Sequence, residues 1–123
     1  MDAINSGGTP YASNVQMGDT KEPNFDWVWG QHAPMELPNG DILIFDNGFN
    51  RQFGNGGAYS RAVAYKVDET NMTVQQTWRY GENRGTETFS TIISDVDYLT
   101  QTGHYLFTPA LLMYNGISIC PHH

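Results

Sequence analysis

His32 lies in the stretch Trp27-Val28-Trp29-Gly30-Gln31-His32-Ala33-Pro34-Met35. Neutral imidazole is a nitrogen nucleophile near neutral pH, because its reference pKa is about 6.5. Such a group can attack an electrophilic centre, carry the transferred group and release it to an acceptor. The competing reading is a histidine hydrogen-bonded to nearby backbone. Trp27 and Trp29 could wall an aromatic pocket, or equally pack between sheets. The formal net charge is −7, so an anionic substrate would need local donors against a repelling overall field. The same charge argues against nucleic acid as a partner and against a polybasic membrane contact.

A reactive histidine needs a rigid frame, and the composition describes one. The chain has 123 residues, enough for one domain with a modest core. Hydrophobic residues make up 39%, aromatics 13% and charged residues only 15%, a mix that disfavours disorder. Frequent glycine suits short strands joined by tight turns. No segment shows helical periodicity over three turns. The single cysteine, Cys120, excludes an internal disulfide and a Cys-based zinc cluster. Asp46-Asn47-Gly48 lacks the acidic ligands of a calcium loop. His122-His123 reads as a tail, so no metal and no cofactor is expected. No basic start with an apolar run follows Met1, and no apolar run is long enough to span a membrane.

Residues 1–24 are polar and read as a loop or extended arm. Strands are expected at Met35–Leu37, Asp41–Phe45, Ser60–Val67 and Thr73–Tyr80, then at Ile92–Leu99 and His104–Thr108. Pro38-Asn39-Gly40 is a hairpin signal, and residues 47–58 and 81–91 are long loops. Asn71-Met72-Thr73 is read as turn chemistry, although it also fits a glycosylation pattern. Leu37–Phe45 recurs as Leu99–Phe107 about sixty residues later, with one residue inserted in the turn. On that alignment His104 takes the place of Asp41, a solvent-facing strand position. Self-similarity on this scale suggests antiparallel four-stranded propeller blades. The all-β chain would then hold one blade and half of the next over residues 25–110. A ring needs about 4–8 blades, so the chain is either a fragment of a partial β-propeller or a small sandwich. Residues 111–123 have no repeat counterpart and read as a tail.

The run from Trp29 to about Thr108 resembles the bacterial arylsulfate sulfotransferases, which use an aryl sulfate donor and no adenylyl-sulfate cofactor. The carriers are WGQHAP (Trp29–Pro34), LPNGDILIFDNG (Leu37–Gly48), YSRAVAYKVDE (Tyr59–Glu69) and TVQQTWRYGENRG (Thr73–Gly85). The resemblance implies a six-bladed propeller with its site at the central channel, in the periplasm. It implies sulfuryl transfer from a phenolic sulfate ester to another phenol through a transiently sulfated histidine, whose position His32 matches. Arg61 and Arg84, in the matched motifs, are the candidate donors to the sulfuryl oxygens, although strand arginines commonly sit in ion pairs. Two further family histidines, an asparagine and an arginine lie in blades outside this chain. A family threonine position falls on Ile93, and Thr91 would share its strand face. The isolated chain is therefore expected to be inactive. The rival expectation is a non-catalytic β-repeat module that binds or self-associates through open blade edges. A lectin-like sandwich stacking sugars on Trp27 and Trp29 is a third.

Overall fold

The computed structural model describes residues 1–49, 59–90, 94–109 and 117–119. Two sheets make up the fold, and among the described residues no helix is long and apolar enough to cross a membrane. The first sheet joins β1 (Asp2–Ala3), β2 (Gln31–Glu36), β3 (Ile42–Asp46), β4 (Arg61–Asp68) and β5 (Thr73–Tyr80) in the order β1-β5-β4-β3-β2. Its strands are antiparallel except for β1, which runs parallel to β5. The second sheet is an antiparallel meander of β6 (Asp95–Leu99), β7 (His104–Thr108) and β8 (Ile117–Ile119). The all-β expectation holds: the described residues form two sheets and, among them, no closed barrel.

The hairpins follow from their turns. Gly40 adopts φ +92° and donates its N–H to the Leu37 carbonyl at 2.9 Å, which closes the Asn-Gly turn. The second hairpin uses Gly103, at φ +73°, bonded to the Leu99 carbonyl at 2.8 Å. The repeat thus has a structural counterpart, with a different alignment. Ile42–Phe45 and His104–Phe107 share an intermediate-buried-intermediate-buried alternation. That pattern equates Leu43 with Tyr105 and Phe45 with Phe107, so half-buried His104 matches Ile42 rather than Asp41. The Phe45 and Phe107 rings stack with centroids 5.0 Å apart.

That stack lies at the centre of the inter-sheet core, among Leu43, Ala62, Ala64, Val96 and Tyr105. Trp78 stacks on Tyr105 at 4.2 Å, and Tyr80 meets Phe107 edge-on. The opposite face of the first sheet is covered too. Val63, Tyr65 and Val74 pack against Ala3, Val15 and Phe25 from the N-terminal segment. Arg61–Tyr65 is accordingly buried on both faces, as central strands covered on two sides are.

The segment read as an arm therefore builds core. A short helix, α1 (Ser13–Gln16), buries Val15. Gln16 staples the segment: its Oε1 accepts the Ala3 N–H at 2.7 Å, and its Nε2 donates to the Ala3 carbonyl at 2.9 Å. Replacing Gln16 by alanine removes both bonds where β1 meets β5. The expected loss is about 1–3 kcal/mol, read as faster amide exchange at Ala3 and Ile4 and earlier proteolytic cleavage before Phe25. An unchanged exchange rate would show that the apolar contacts alone hold the segment.

Three further expectations shift. The strand expected at Met35–Leu37 begins four residues earlier, at Gln31, so His32 lies in a strand. Loop 81–91 contains two short 3-10 turns within Glu82–Thr88, separated by a kink at Gly85. In the stretch read as a tail, Ile117–Ile119 pairs with β7 as a third strand. Residues 50–58, 91–93, 110–116 and 120–123 lie outside the described residues, and with them Thr91, Ile93, Cys120 and His122-His123.

Candidate active site

β2 is the edge strand of the first sheet, and His32 stands near its start. His32 is exposed. It is in register with Phe45, so both side chains belong to the face turned toward the second sheet. The pairing slips between His32 and Met35, and Ala33 there has φ +50°. A bulge of this kind bends an edge strand and re-aims the side chains around it. A left-handed conformation is uncommon for a residue with a Cβ. Here it sits beside the candidate nucleophile.

The approach to β2 is fixed by Asp46 at the end of β3. Its Oδ1 accepts the backbone N–H of Trp29 at 2.8 Å and of Gly48 at 3.1 Å. Phe49 N–H reaches the Trp29 carbonyl at 2.8 Å. The FDNG motif thus anchors the turn that delivers Gly30, Gln31 and His32. Trp27 is drawn into the core, with its indole N–H on the Val15 carbonyl at 2.8 Å and its ring edge-on to Phe25. Trp29 is half-buried, and its indole N–H has no partner among the described residues.

Arg61 is not placed to meet a substrate. Its side chain is 0% exposed, at the start of β4. Nε bonds Asp46 Oδ2 at 2.9 Å. Nη1 donates to Gln76 Oε1 at 2.8 Å and to Glu82 Oε1 at 3.1 Å. Nη2 donates to the Asp26 carbonyl at 2.8 Å and to the Tyr65 hydroxyl at 2.9 Å. A guanidinium has five N–H donors, and these acceptors use them all. Burial works against the charge, but Tyr65, Asp46 and Glu82 outweigh it and raise the Arg61 pKa. Burial likewise pushes the Tyr65 phenol upward, with Asp46 and Asp26 adding to the shift against Arg61. Arg61 is thus a structural cation that ties β3, β4, β5 and the turn after β5 together.

Arg84 lies in that turn, half-buried. Nη1 bonds the Tyr80 hydroxyl at 2.8 Å and Nη2 pairs with Glu87. The structure does not join it to His32. The Asn71 turn is held by Asp68, which accepts the Thr70 and Asn71 N–H groups.

What lies opposite His32 is the second sheet. β6 packs along β2 and β3. The Tyr98 N–H points to the Met35 sulfur at 3.4 Å. A buried hydroxyl cluster fixes the entry to β6. The Ser60 hydroxyl donates to the Asn47 carbonyl at 2.7 Å and accepts the Ser90 N–H at 2.8 Å, while Asn47 Nδ2 reaches the Ser90 carbonyl at 2.8 Å. Ser94, at φ +92°, bonds Ser90 by its hydroxyl at 3.1 Å. No group of three or more metal-ligating side chains occurs among the described residues.

Comparison with known proteins gives one consistent result. The family model described as Arylsulfotransferase (ASST) matches residues 7–121. Two curated relatives, each named arylsulfate sulfotransferase AssT, come from Lelliottia amnigena and from Escherichia coli O6:H1. Each is 36% identical over 99 residues, covering 77% of this chain and 16% of the relative. The chain thus spans about a sixth of the length of the relatives it matches.

Proposed function

The chain belongs to the arylsulfotransferase family, and on that premise we propose that it is a segment of an enzyme moving a sulfuryl group from a phenolic sulfate ester to another phenol, with His32 as the group that is sulfated. The observation that carries this reading is the exposed imidazole near the start of an edge strand, in register with Phe45 and beside a bulge. Transfer between two phenols joins leaving groups of similar quality, so a covalent intermediate divides the barrier. A lone pair on the His32 ring attacks sulfur. The S–O bond to the aryl group breaks and its electron pair leaves as phenolate. The ring then carries a positive charge and its SO3 group a negative one, until a second phenolate attacks sulfur and the N–S bond breaks, returning its electron pair to the neutral imidazole.

The blade reading belongs to the same proposal. β2 to β5 are four consecutive antiparallel neighbours, and β6 opens a second unit against β2. In a propeller the edges of β2 and β6 would line the channel. Cationic donors to the sulfuryl oxygens are also needed. Arg61 and Arg84 are engaged with internal acceptors, so neither of the two is free to supply them. The chain alone is therefore proposed to turn over little or not at all.

The test compares this chain with a protein of the relatives' length that carries it. Each is incubated with an aryl sulfate, and phenol release is followed alongside peptide mass mapping. The longer protein should transfer the sulfuryl group and gain one SO3 on the His32 peptide. His32→Asn should lower turnover by on the order of 10³-fold or more, the scale of losing a covalent nucleophile. Turnover that survives His32→Asn, with SO3 on another residue, would remove His32 from the mechanism. Strong turnover by the short chain would show that its own donors suffice. Binding through open sheet edges with no transfer in either protein would favour the non-catalytic module.

A further inference from the structure

Two tyrosines of the second sheet reach the turn that follows β2. Tyr98 on β6 and Tyr105 on β7 are a cross-strand pair, with ring centroids 5.2 Å apart at 60°. The Tyr105 ring is braced by its stack on Trp78, at 4.2 Å, and the Tyr98 backbone by the Met35 sulfur. The turn is held as firmly. The Leu37 N–H donates to the Asp41 carbonyl at 2.8 Å, and Asn39 Oδ1 accepts the Asp41 N–H at 3.0 Å. Between the turn and the two rings lies a recess of about 150 Å³, lined by Leu37, Pro38, Asn39, Tyr98 and Tyr105. An apolar cavity of about that size holds one benzene ring. Tyr105 is 7% exposed, yet its hydroxyl makes no hydrogen bond with a described residue. Buried hydroxyls ordinarily have a partner. Burial raises the Tyr105 pKa, with Tyr98 and Asp41 adding to the shift, so the group stays an O–H donor at neutral pH. Asn39 Nδ2 gives one hydrogen to Asp41 Oδ2 at 3.4 Å and keeps a second.

We propose that this recess is a binding site for one neutral phenol, held by ring contacts to Tyr98 and Tyr105 and hydrogen-bonded at its oxygen by the Tyr105 hydroxyl and the Asn39 amide. Its size admits a single ring, and tyrosine rings favour tilted contacts with another aromatic. Its charge selects against an aryl sulfate. None of the lining residues is a cation, and the Asp41 carboxylate stands beside Asn39. An anion there would meet a like charge with nothing to offset it. The site lies at the end of β2 away from His32, five residues or about 16 Å along the chain direction. It is therefore separate from the sulfuryl transfer proposed above and does not depend on it.

The test is a titration of this chain with phenol, followed by amide NMR cross-peaks. Toluene, which lacks the hydroxyl, and phenyl sulfate are the comparison ligands. Phenol should shift Leu37, Asn39 with its side-chain amide, Tyr98 and Tyr105, with a dissociation constant on the order of 1 mM, as suits a ligand of so few atoms. Phenyl sulfate at the same concentrations should leave these cross-peaks in place. Tyr105→Phe keeps the ring and its stack on Trp78 and removes only the hydroxyl. It should weaken phenol by about 2–10-fold, the scale of one neutral hydrogen bond, and leave toluene unchanged. His32→Asn should leave phenol binding as it is. Phenol shifts scattered over the chain would remove the site. Phenol weakened no more than toluene by Tyr105→Phe would overturn the assignment of a phenol, and phenyl sulfate acting as strongly as phenol would overturn the neutral ligand. A phenol effect lost in His32→Asn would move the binding to the proposed nucleophile and defeat the proposal. If phenol binds here while His32 is never sulfated, the proposed function fails and this site stands.

Discussion

Arg61→Met is expected to lower stability by about 3–5 kcal/mol, the cost of breaking a buried ion pair from one side. Methionine fills much of the volume but donates nothing. Asp46, 0% exposed, keeps the N–H groups of Trp29 and Gly48 but loses its cation. Gln76 Oε1, the Tyr65 oxygen and the Asp26 carbonyl each lose a charged donor in the same step. The check is the urea midpoint of the chain. A double-mutant cycle with Asp46→Asn apportions the loss, since that change removes the stranded charge. The double variant should fall short of the sum of the singles by about 0.5–3 kcal/mol. A midpoint unchanged in Arg61→Met would mean that the cluster contributes nothing net. Set beside turnover of the longer protein, the midpoint separates structure from chemistry at this residue. A substrate-binding arginine would alter turnover while leaving the midpoint alone.

The Arg61 result shows where sequence reasoning runs out. Ser60–Val67 identifies a strand, and β4 spans Arg61–Asp68. The acceptors around Arg61 come from positions 26, 46, 65, 76 and 82, which only the folded sheet gathers. A solvated and an enclosed arginine read the same along the chain. β5 was legible end to end, because Thr73–Tyr80 is dense in β-formers and follows a turn held by Asp68. The start of β2 was not. Gln31, His32 and Ala33 carry no strand signal, and Gln31 and His32 are paired by Asp46 and Phe45 across the hairpin. Residues 1–24 look polar because the three side chains they bring to the core with Phe25, namely Ala3, Tyr11 and Val15, are spaced without a period. His32 was legible as a candidate from its neighbours.

Gly81→Ala is the second change with a large expected effect, and its cause is geometric. Gly81 has φ +112°, a conformation glycine adopts freely and alanine does not. That strain costs about 1–3 kcal/mol. An added Cβ would also sit 2.9 Å from the Ser60 carbonyl oxygen, 3.3 Å from Arg61 Cα and 3.4 Å from the Phe107 ring. None of these neighbours is free to yield. Ser60 is held by Asn47 and Ser90, Arg61 by its acceptors, and Phe107 by the stack on Phe45. Displacing any of them adds about 1–3 kcal/mol of overpacking cost. The total is on the order of 4 kcal/mol, large against the few kcal/mol that hold a small domain. Gly8→Ala provides the control, because Gly8 has φ +82° but nothing within 4 Å of the added Cβ. It carries the conformational cost alone. The difference between the two urea midpoints therefore measures how tightly the turn after β5 is wedged between the sheets. If that difference vanishes, the Ser60–Gly81–Phe107 contact is slack. Arg61 would then lose the rigid turn that carries Glu82 to it.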